Sequence, residues 1–498
     1  MNRESTFRTV SPSLYRNPRW LGAILFVLLL NVWHPIGYIG GGADDDRYIA
    51  GALCWVANGP CVPVNHWEGR WPLVAFLAAT IGTFGLGRLA VAIPSVVATL
   101  ASLFFIKKIG DRFDRRIGLA AALVLAAVPA VLKQAFTATV EPFELAFVLA
   151  GGWALVSRKP LLAGLAFAMA FQVRETAVAA LVPATLLLRK DGRGLLLLAA
   201  GFVSVLIVEL LVFYAWTGDP LYRRALSIGH VALPSSEMAN PPKGSPLFNT
   251  EYLRRWNYDP GVHVHWLVDG LLNLALNFKA AFLYSMTPLL YAAYRTRLSA
   301  PERRAALFLM ASALFYSSVL IYVLAIDPKA RVMFVPIAAL SLAFAIIAVR
   351  AWNAVIMALA ACIGLLISLT VITQPRQARY QHAAQQFAAH FPGQVETAQP
   401  GYFGLSPLRH LPSIGSGRPY LLVLKFARCG APSAEDPIDL QYLEPVHEAR
   451  AHPLAAALGN RWSLCLYRYR NPHPVVPQRP MMGPEVRIVN KAVINRLK

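Results

Sequence analysis

What most constrains this chain is the recurrence of apolar runs, separated by short segments in which lysine and arginine collect. A helix rises about 1.5 Å per residue, so about 20 apolar residues cover the roughly 30 Å hydrocarbon layer of a bilayer. The first such run, Trp20 to Ile39, follows Arg3, Arg8, Arg16 and Arg19 with only Glu4 against them, which orients the N-terminus to the cytoplasm. It is too long for a cleaved signal peptide, and no small-x-small site precedes Gly40, so it is expected to be a permanent anchor. With 56% hydrophobic and 15% charged residues the chain fits a polytopic membrane protein, not a soluble domain. The net charge of +21 does not point to nucleic acid, because the basic residues fall in loop clusters that suit membrane topology and anionic lipid headgroups.

The alternation continues along the chain and predicts about eleven spans. Residues 40–71 form a first outward loop, and Pro72 to Phe84 reads as a short interfacial helix. Spans are expected at Leu86 to Ile106, Ile117 to Leu132, Pro142 to Val156, Leu161 to Gln172, Thr176 to Leu188 and Gly194 to Tyr214. Residues 216–279 make a second long outward loop, followed by spans at Ala280 to Tyr294, Ala305 to Ile326, Val332 to Val349 and Ala354 to Ile372. From about residue 374 the composition turns polar, so residues 374–498 are expected to form a soluble extracytoplasmic domain of mixed α/β type, with strands near Tyr420 to Phe426 and Trp462 to Tyr469. Of the five cysteines, Cys54 and Cys61 lie in the first outward loop and Cys429 and Cys465 in the C-terminal domain. Two outward pairs suit disulfides in an oxidising compartment, and neither pair has zinc-knuckle spacing.

Asp44-Asp45-Asp46-Arg47-Tyr48 directly follows the first apolar run, which places three carboxylates at the outer membrane surface. Glu141 opens a later span and Arg174-Glu175 lies at a third outer turn. Ionisable residues converging at span ends are candidates for function. Carboxylates there accept a proton from a hydroxyl, and arginine forks bind phosphate oxygens. Lys329 and Arg331 suit a lipid phosphate or a turn cap equally, and Glu209 within a span requires a partner or a proton. Glu68, His66, His230, His263 and His265 read as ordinary loop residues, and no metal site is expected among them.

Asp44-Asp45-x-Arg47-Tyr48, Arg70-Trp71-Pro72-Leu73, Gly87-Arg88-Leu89 with Pro94-Ser95, and Thr139-Val140-Glu141-Pro142 together resemble motifs of the C-type (GT-C) membrane glycosyltransferases. The similarity is to the protein O-mannosyltransferase and lipid A aminoarabinose transferase branch, and its motifs span about Trp20 to Ala200. It implies an inverting transfer of a sugar from a polyprenyl-phosphate donor to an acceptor lipid, protein or glycan. By position Asp44 would be the general base, while Asp45 and Glu141 would shape acceptor or sugar binding. Arg47 and Arg70 would bind the donor phosphate, with Arg331 a further candidate, and Tyr48, Arg174 and Glu175 would line the substrate site. The chain departs from the branch in having Asp45 where Glu is frequent and Arg70-Trp71 in place of Lys-Pro. No cofactor is needed in principle, because arginine forks stabilise the developing phosphate charge, and a role for a divalent metal stays open.

The expected fold is thus an all-α polytopic membrane protein of GT-C architecture with a small extracytoplasmic α/β domain. Its partners would be the lipid-linked donor, membrane lipids and the acceptor, at a bacterial inner membrane facing the periplasm. A secondary transporter and a noncatalytic envelope-glycan assembly protein are the alternatives. Neither two similar halves nor broken midplane helices are visible in the sequence to favour transport.

Overall fold

The computed structural model describes residues 44–232, 266–276, 281–324, 330–351, 384, 386–397, 416, 418–425, 429, 442–450 and 463–470. The spans expected at Trp20 to Ile39 and Ala354 to Ile372 lie outside these residues, as do His263, His265 and Lys329.

The described part is mostly helical. Helix α1 (Asp44–Asn58) lies on α2 (Trp71–Phe84), and α2 packs on α3 (Arg88–Gly110). After α4 (Arg115–Ala127) and the short α5 (Pro129–Gln134) come α6 (Glu141–Val156) and α7 (Pro160–Val173), which pack on each other, α6 also lying on α3. A 3-10 turn (Glu175–Ala180) leads into α8 (Leu181–Leu188), and the long α9 (Gly192–Thr217) lies along α7. Then follow α10 (Tyr222–Ala232), α11 (Trp266–Leu276), α12 (Ala281–Tyr294), α13 (Ala300–Ser318) with a π-helical turn (Val319–Val323), and α14 (Phe334–Ala351) after a 3-10 turn (Ala330–Met333).

Four helices are long and apolar enough to cross a membrane, at Leu89–Gly110, Gly192–Thr217, Ala300–Val323 and Arg331–Ala351. Trp71–Phe84, Pro160–Val173 and Glu175–Leu188 are shorter apolar helices. In the most apolar stretch of each, 83% of residues are buried in Arg331–Ala351 but only 11% in Gly192–Thr217. The α14 helix is therefore a central post, contacting α4, α6, α12 and α13, whereas α9 presents most of its leucine and valine surface outward, as a lipid-facing helix does.

Proline accounts for where the expected spans depart from single helices. Ile117 to Leu132 is divided at Val128, because Pro129 donates no backbone hydrogen bond and disfavours α geometry in the residue before it. Thr176 to Leu188 begins as a 3-10 turn ahead of Pro183, and Pro336 likewise follows the 3-10 turn at Ala330–Met333. The loop expected at 216–279 is not loop throughout: α10 and α11 lie within it, because Tyr222–Ala232 and Trp266–Leu276 carry enough helical periodicity to fold on neighbouring apolar faces.

In the C-terminal part β1 (Val395–Thr397), β2 (Tyr420–Lys425), β3 (Leu443–Arg450) and β4 (Ser463–Tyr469) form a sheet in the order β1-β2-β4-β3, with β1 parallel to β2 and the other pairs antiparallel. Alternation in β4 divides its side chains between two small cores, Leu464 and Leu466 on one face and Cys465 and Tyr467 on the other. A disulfide joins Cys429 to Cys465. Buried Glu396 accepts hydrogen bonds from the Tyr469 hydroxyl at 2.6 Å and the Ser416 hydroxyl at 2.6 Å. Burial, with the carboxylate beside it, pushes the Tyr469 phenol upward.

Candidate functional site

The site is built at one end of the helical part, where α1 starts. Acidic residues suit a helix N-terminus, because unsatisfied N–H groups and the macrodipole favour negative charge there. Asp44, Asp45 and Asp46 occupy the first turn of α1. One turn of helix gives them different surroundings. Asp44 is about half exposed, with its carboxylate 4.0 Å from the Arg331 guanidinium. Asp45 is only 2% exposed, and neither of its carboxylate oxygens has a hydrogen-bond partner among the described residues. Burial, followed by the charges of Asp46 and Asp44, pushes its carboxyl well above the usual range. Asp45 is therefore suited to the neutral form, whereas Asp44 is half-exposed and Asp46 partly buried.

A second apolar cluster holds this end rigid. Tyr48, Ile49 and Ala52 of α1 pack with Trp67, Leu73 and Leu77, with Val91 of α3, Phe143 of α6 and Val173 of α7. A disulfide between Cys54 and Cys61 ties the end of α1 to the following loop. Arg70, the residue before α2, donates through Nη1 to the Tyr48 hydroxyl, while its Nε has no partner among the described residues. Burial alone would lower the Arg70 pKa, but the fields of Tyr48, Glu175, Asp44 and Glu141 outweigh it and raise it, so the guanidinium stays charged. Burial likewise raises the Tyr48 phenol, with Arg70 opposing. Asp44, Tyr48, Arg70, Glu141 and Glu175 thus share one electrostatic neighbourhood, with Arg331 facing Asp44.

Arg47 is placed differently. Its guanidinium lies 3.5 Å from the centre of the Trp67 ring, a cation–π contact at the rim of the cluster. Glu68 caps its own loop, accepting from the Val64 N–H at 3.0 Å and the Asn65 amide at 2.7 Å, and burial raises its carboxyl. The His66 ring lies against Trp67 in a tilted contact, with ring centres 3.6 Å apart.

Arg174 does not face this cluster. It points to Glu144 of α6 at 3.4 Å, and Glu144 also accepts from Thr176 at 2.9 Å and Tyr316 of α13 at 2.7 Å. A buried guanidinium needs a counter-charge, and Glu144 supplies it to Arg174 within the bundle. Glu209 finds its partner in Arg223 of α10, at 2.7 Å, and in Gln172 of α7, at 2.8 Å. Sequence reading missed Glu144, Gln172, Arg223 and Tyr316. Glu144 carried a usable signal, an acidic residue inside an apolar run three positions after Glu141 and hence on the same helix face. Among the described residues no group of three or more His, Cys, Asp or Glu side chains is arranged to hold a metal ion.

No family model and no curated protein matches the chain. Solved structures do. ArnT from Cupriavidus metallidurans bound to undecaprenyl phosphate is 15% identical, with 92% of this chain and 98% of that chain covered at a TM-score of 0.47. The same protein in its apo state is 15% identical, with 90% and 98% covered and a TM-score of 0.37.

Proposed function

We propose that the protein is an inverting glycosyltransferase that moves a sugar from a polyprenyl-phosphate donor to an acceptor hydroxyl at the outward face of the membrane. The observation that carries this reading is the pairing of half-exposed Asp44 with Arg331, within the field of Arg70, Glu141 and Tyr48. A half-exposed ion pair at 4.0 Å is worth at most about 1 kcal/mol, so a phosphate readily takes the arginine from it. Donor entry would engage Arg331 and Arg70 through charge-assisted hydrogen bonds and release the Asp44 carboxylate. Asp44 then takes the acceptor's proton as the acceptor oxygen attacks the anomeric carbon. The bond from that carbon to the phosphate oxygen breaks, and the two guanidiniums stabilise the negative charge of the departing polyprenyl phosphate. Tyr48 would hold the Arg70 fork in place, and Glu141 and Glu175 would meet sugar or acceptor hydroxyls. The Cys54–Cys61 disulfide beside the site supports an oxidising compartment, in keeping with a bacterial inner membrane whose site faces the periplasm.

The test is sugar release from a panel of synthetic polyprenyl-phosphate sugars by the purified protein in lipid, with Asp44→Asn alongside. Loss of turnover by about 10²-fold or more, with donor binding kept, is the expected result for a general base. Absence of turnover by the unaltered protein on every donor and acceptor mixture would overturn the reading.

A further inference from the structure

Glu175 stands between two guanidiniums. Arg223 Nη2 donates to its Oε1 at 3.1 Å, and the Ser227 hydroxyl donates to the same oxygen at 3.1 Å. Arg70 is the second positive charge acting on Glu175, across a longer gap. Arg223 lies near the backbone that carries Arg70: a Cβ built on Gly69, next to Arg70, would lie 3.8 Å from Arg223 Cγ. The Tyr222 hydroxyl donates to the Pro63 carbonyl at 3.1 Å and so ties α10 to the loop that carries Arg70.

Arg223 is itself held on every side. Nη1 donates to Glu209 at 2.7 Å and to the Gln172 side chain, and Nη2 donates to the Phe171 and Gln172 carbonyls at 3.1 and 3.0 Å. Gln172 closes the ring by donating to the second Glu209 oxygen at 2.8 Å. A guanidinium bound by this many acceptors has one geometry, and Glu175 is drawn to it. Arg70, by contrast, spends Nη1 on a neutral phenol and keeps Nε without a partner among the described residues.

We propose that Arg223 is a positioning residue that withholds Glu175 from Arg70, so that Arg70 keeps its donors for an anionic phosphate. Glu209 and Gln172 are the cradle that fixes Arg223 for this purpose. Without Arg223, the half-exposed Glu175 turns to Arg70 as the nearest cation and occupies the place of the phosphate. The inference rests on the donor-phosphate role of Arg70 proposed above.

The experiment measures equilibrium binding of radiolabelled undecaprenyl phosphate, which carries no sugar, to the purified full-length chain in detergent micelles. Arg223→Gln is combined with Glu209→Gln so that no unpaired carboxylate remains in α9. This pair is expected to bind about tenfold more weakly, and adding Glu175→Gln is expected to restore binding to within about twofold of the unaltered protein. Glu175→Gln alone is expected to bind at least as tightly as the unaltered protein, because it removes a negative neighbour of the phosphate. A merely structural role for Arg223 would leave the triple variant as weak as the double, and that result overturns the inference. So does weaker binding by Glu175→Gln alone, or no loss in the double variant. If the unaltered chain does not bind undecaprenyl phosphate, the donor reading itself fails and the inference falls with it.

Discussion

Asp44 and Asp45 are neighbours in sequence with opposite fates. One helical step rotates the side chain by about 100°, enough to leave Asp44 facing Arg331 and to turn Asp45 into the cluster under α1. The buried carboxyl has a testable consequence. Its folded pKa lies above its unfolded value, so its contribution to stability is full below the unfolded pKa of about 3.9 and is lost as pH rises through the folded value. Asp45→Asn removes that titration. Thermal unfolding in detergent should show the variant matching the unaltered protein at the acid end and gaining on it as pH rises to neutrality. A constant difference across the pH range would contradict the assignment of Asp45 as the neutral acid. Asp44→Asn should behave otherwise, keeping the unfolding temperature and losing turnover. At this scale the motif was legible in the sequence as a set of carboxylates, but not which of them meets solvent. That choice depends on the rotation of α1 that turns Tyr48 and Ile49 onto Trp67, Leu73 and Leu77, which no local pattern states.

Between elements, the sharpest constraint is the crossing of α7 and α9. A Cβ added at Gly164 would lie 2.1 Å from the Leu198 carbonyl oxygen, and one at Gly201 would lie 2.3 Å from that of Leu161. The two helices touch backbone to backbone, as small residues permit where lipid offers no hydrophobic drive for association. The atoms in the way are backbone, which cannot rotate aside, so Gly201→Val is expected to lower stability by about 1–3 kcal/mol. Unfolding in detergent checks this, and an unchanged midpoint would show that the crossing is looser than the geometry requires. The same crossing places Gln172 and Glu209 opposite each other. Apolar length and basic ends revealed both helices in the sequence, and Gly164 and Gly201 were visible there only as ordinary small residues. Their pairing is a property of two segments 37 positions apart, beyond the reach of periodicity within either one.

Across the whole molecule, the two ends of α9 belong to opposite sides of the expected topology. Arg193 at the start of α9 belongs to the basic segments expected in the cytoplasm, whereas α9 ends at Thr217 beside Asp219 and α10, which carries Arg223 toward Glu175. Arg193→Cys and Asp219→Cys are therefore expected to label from opposite sides of an intact membrane with an impermeant thiol reagent, Asp219→Cys from outside. Labelling of both from one side would invert or break the topology. The sequence by itself determined that the chain is largely helical and membrane-embedded, which cysteines lie in the same region, and which short motifs are candidates for chemistry, because apolar length, basic flanks and local spacing are properties of contiguous residues. Only the tertiary structure decided that Arg174 is spent on Glu144, that Glu209 is satisfied by Arg223, and that Arg331 faces Asp44. Each of those pairings joins distant segments, and a buried charge takes its partner from whatever the packing of helices brings within hydrogen-bond reach.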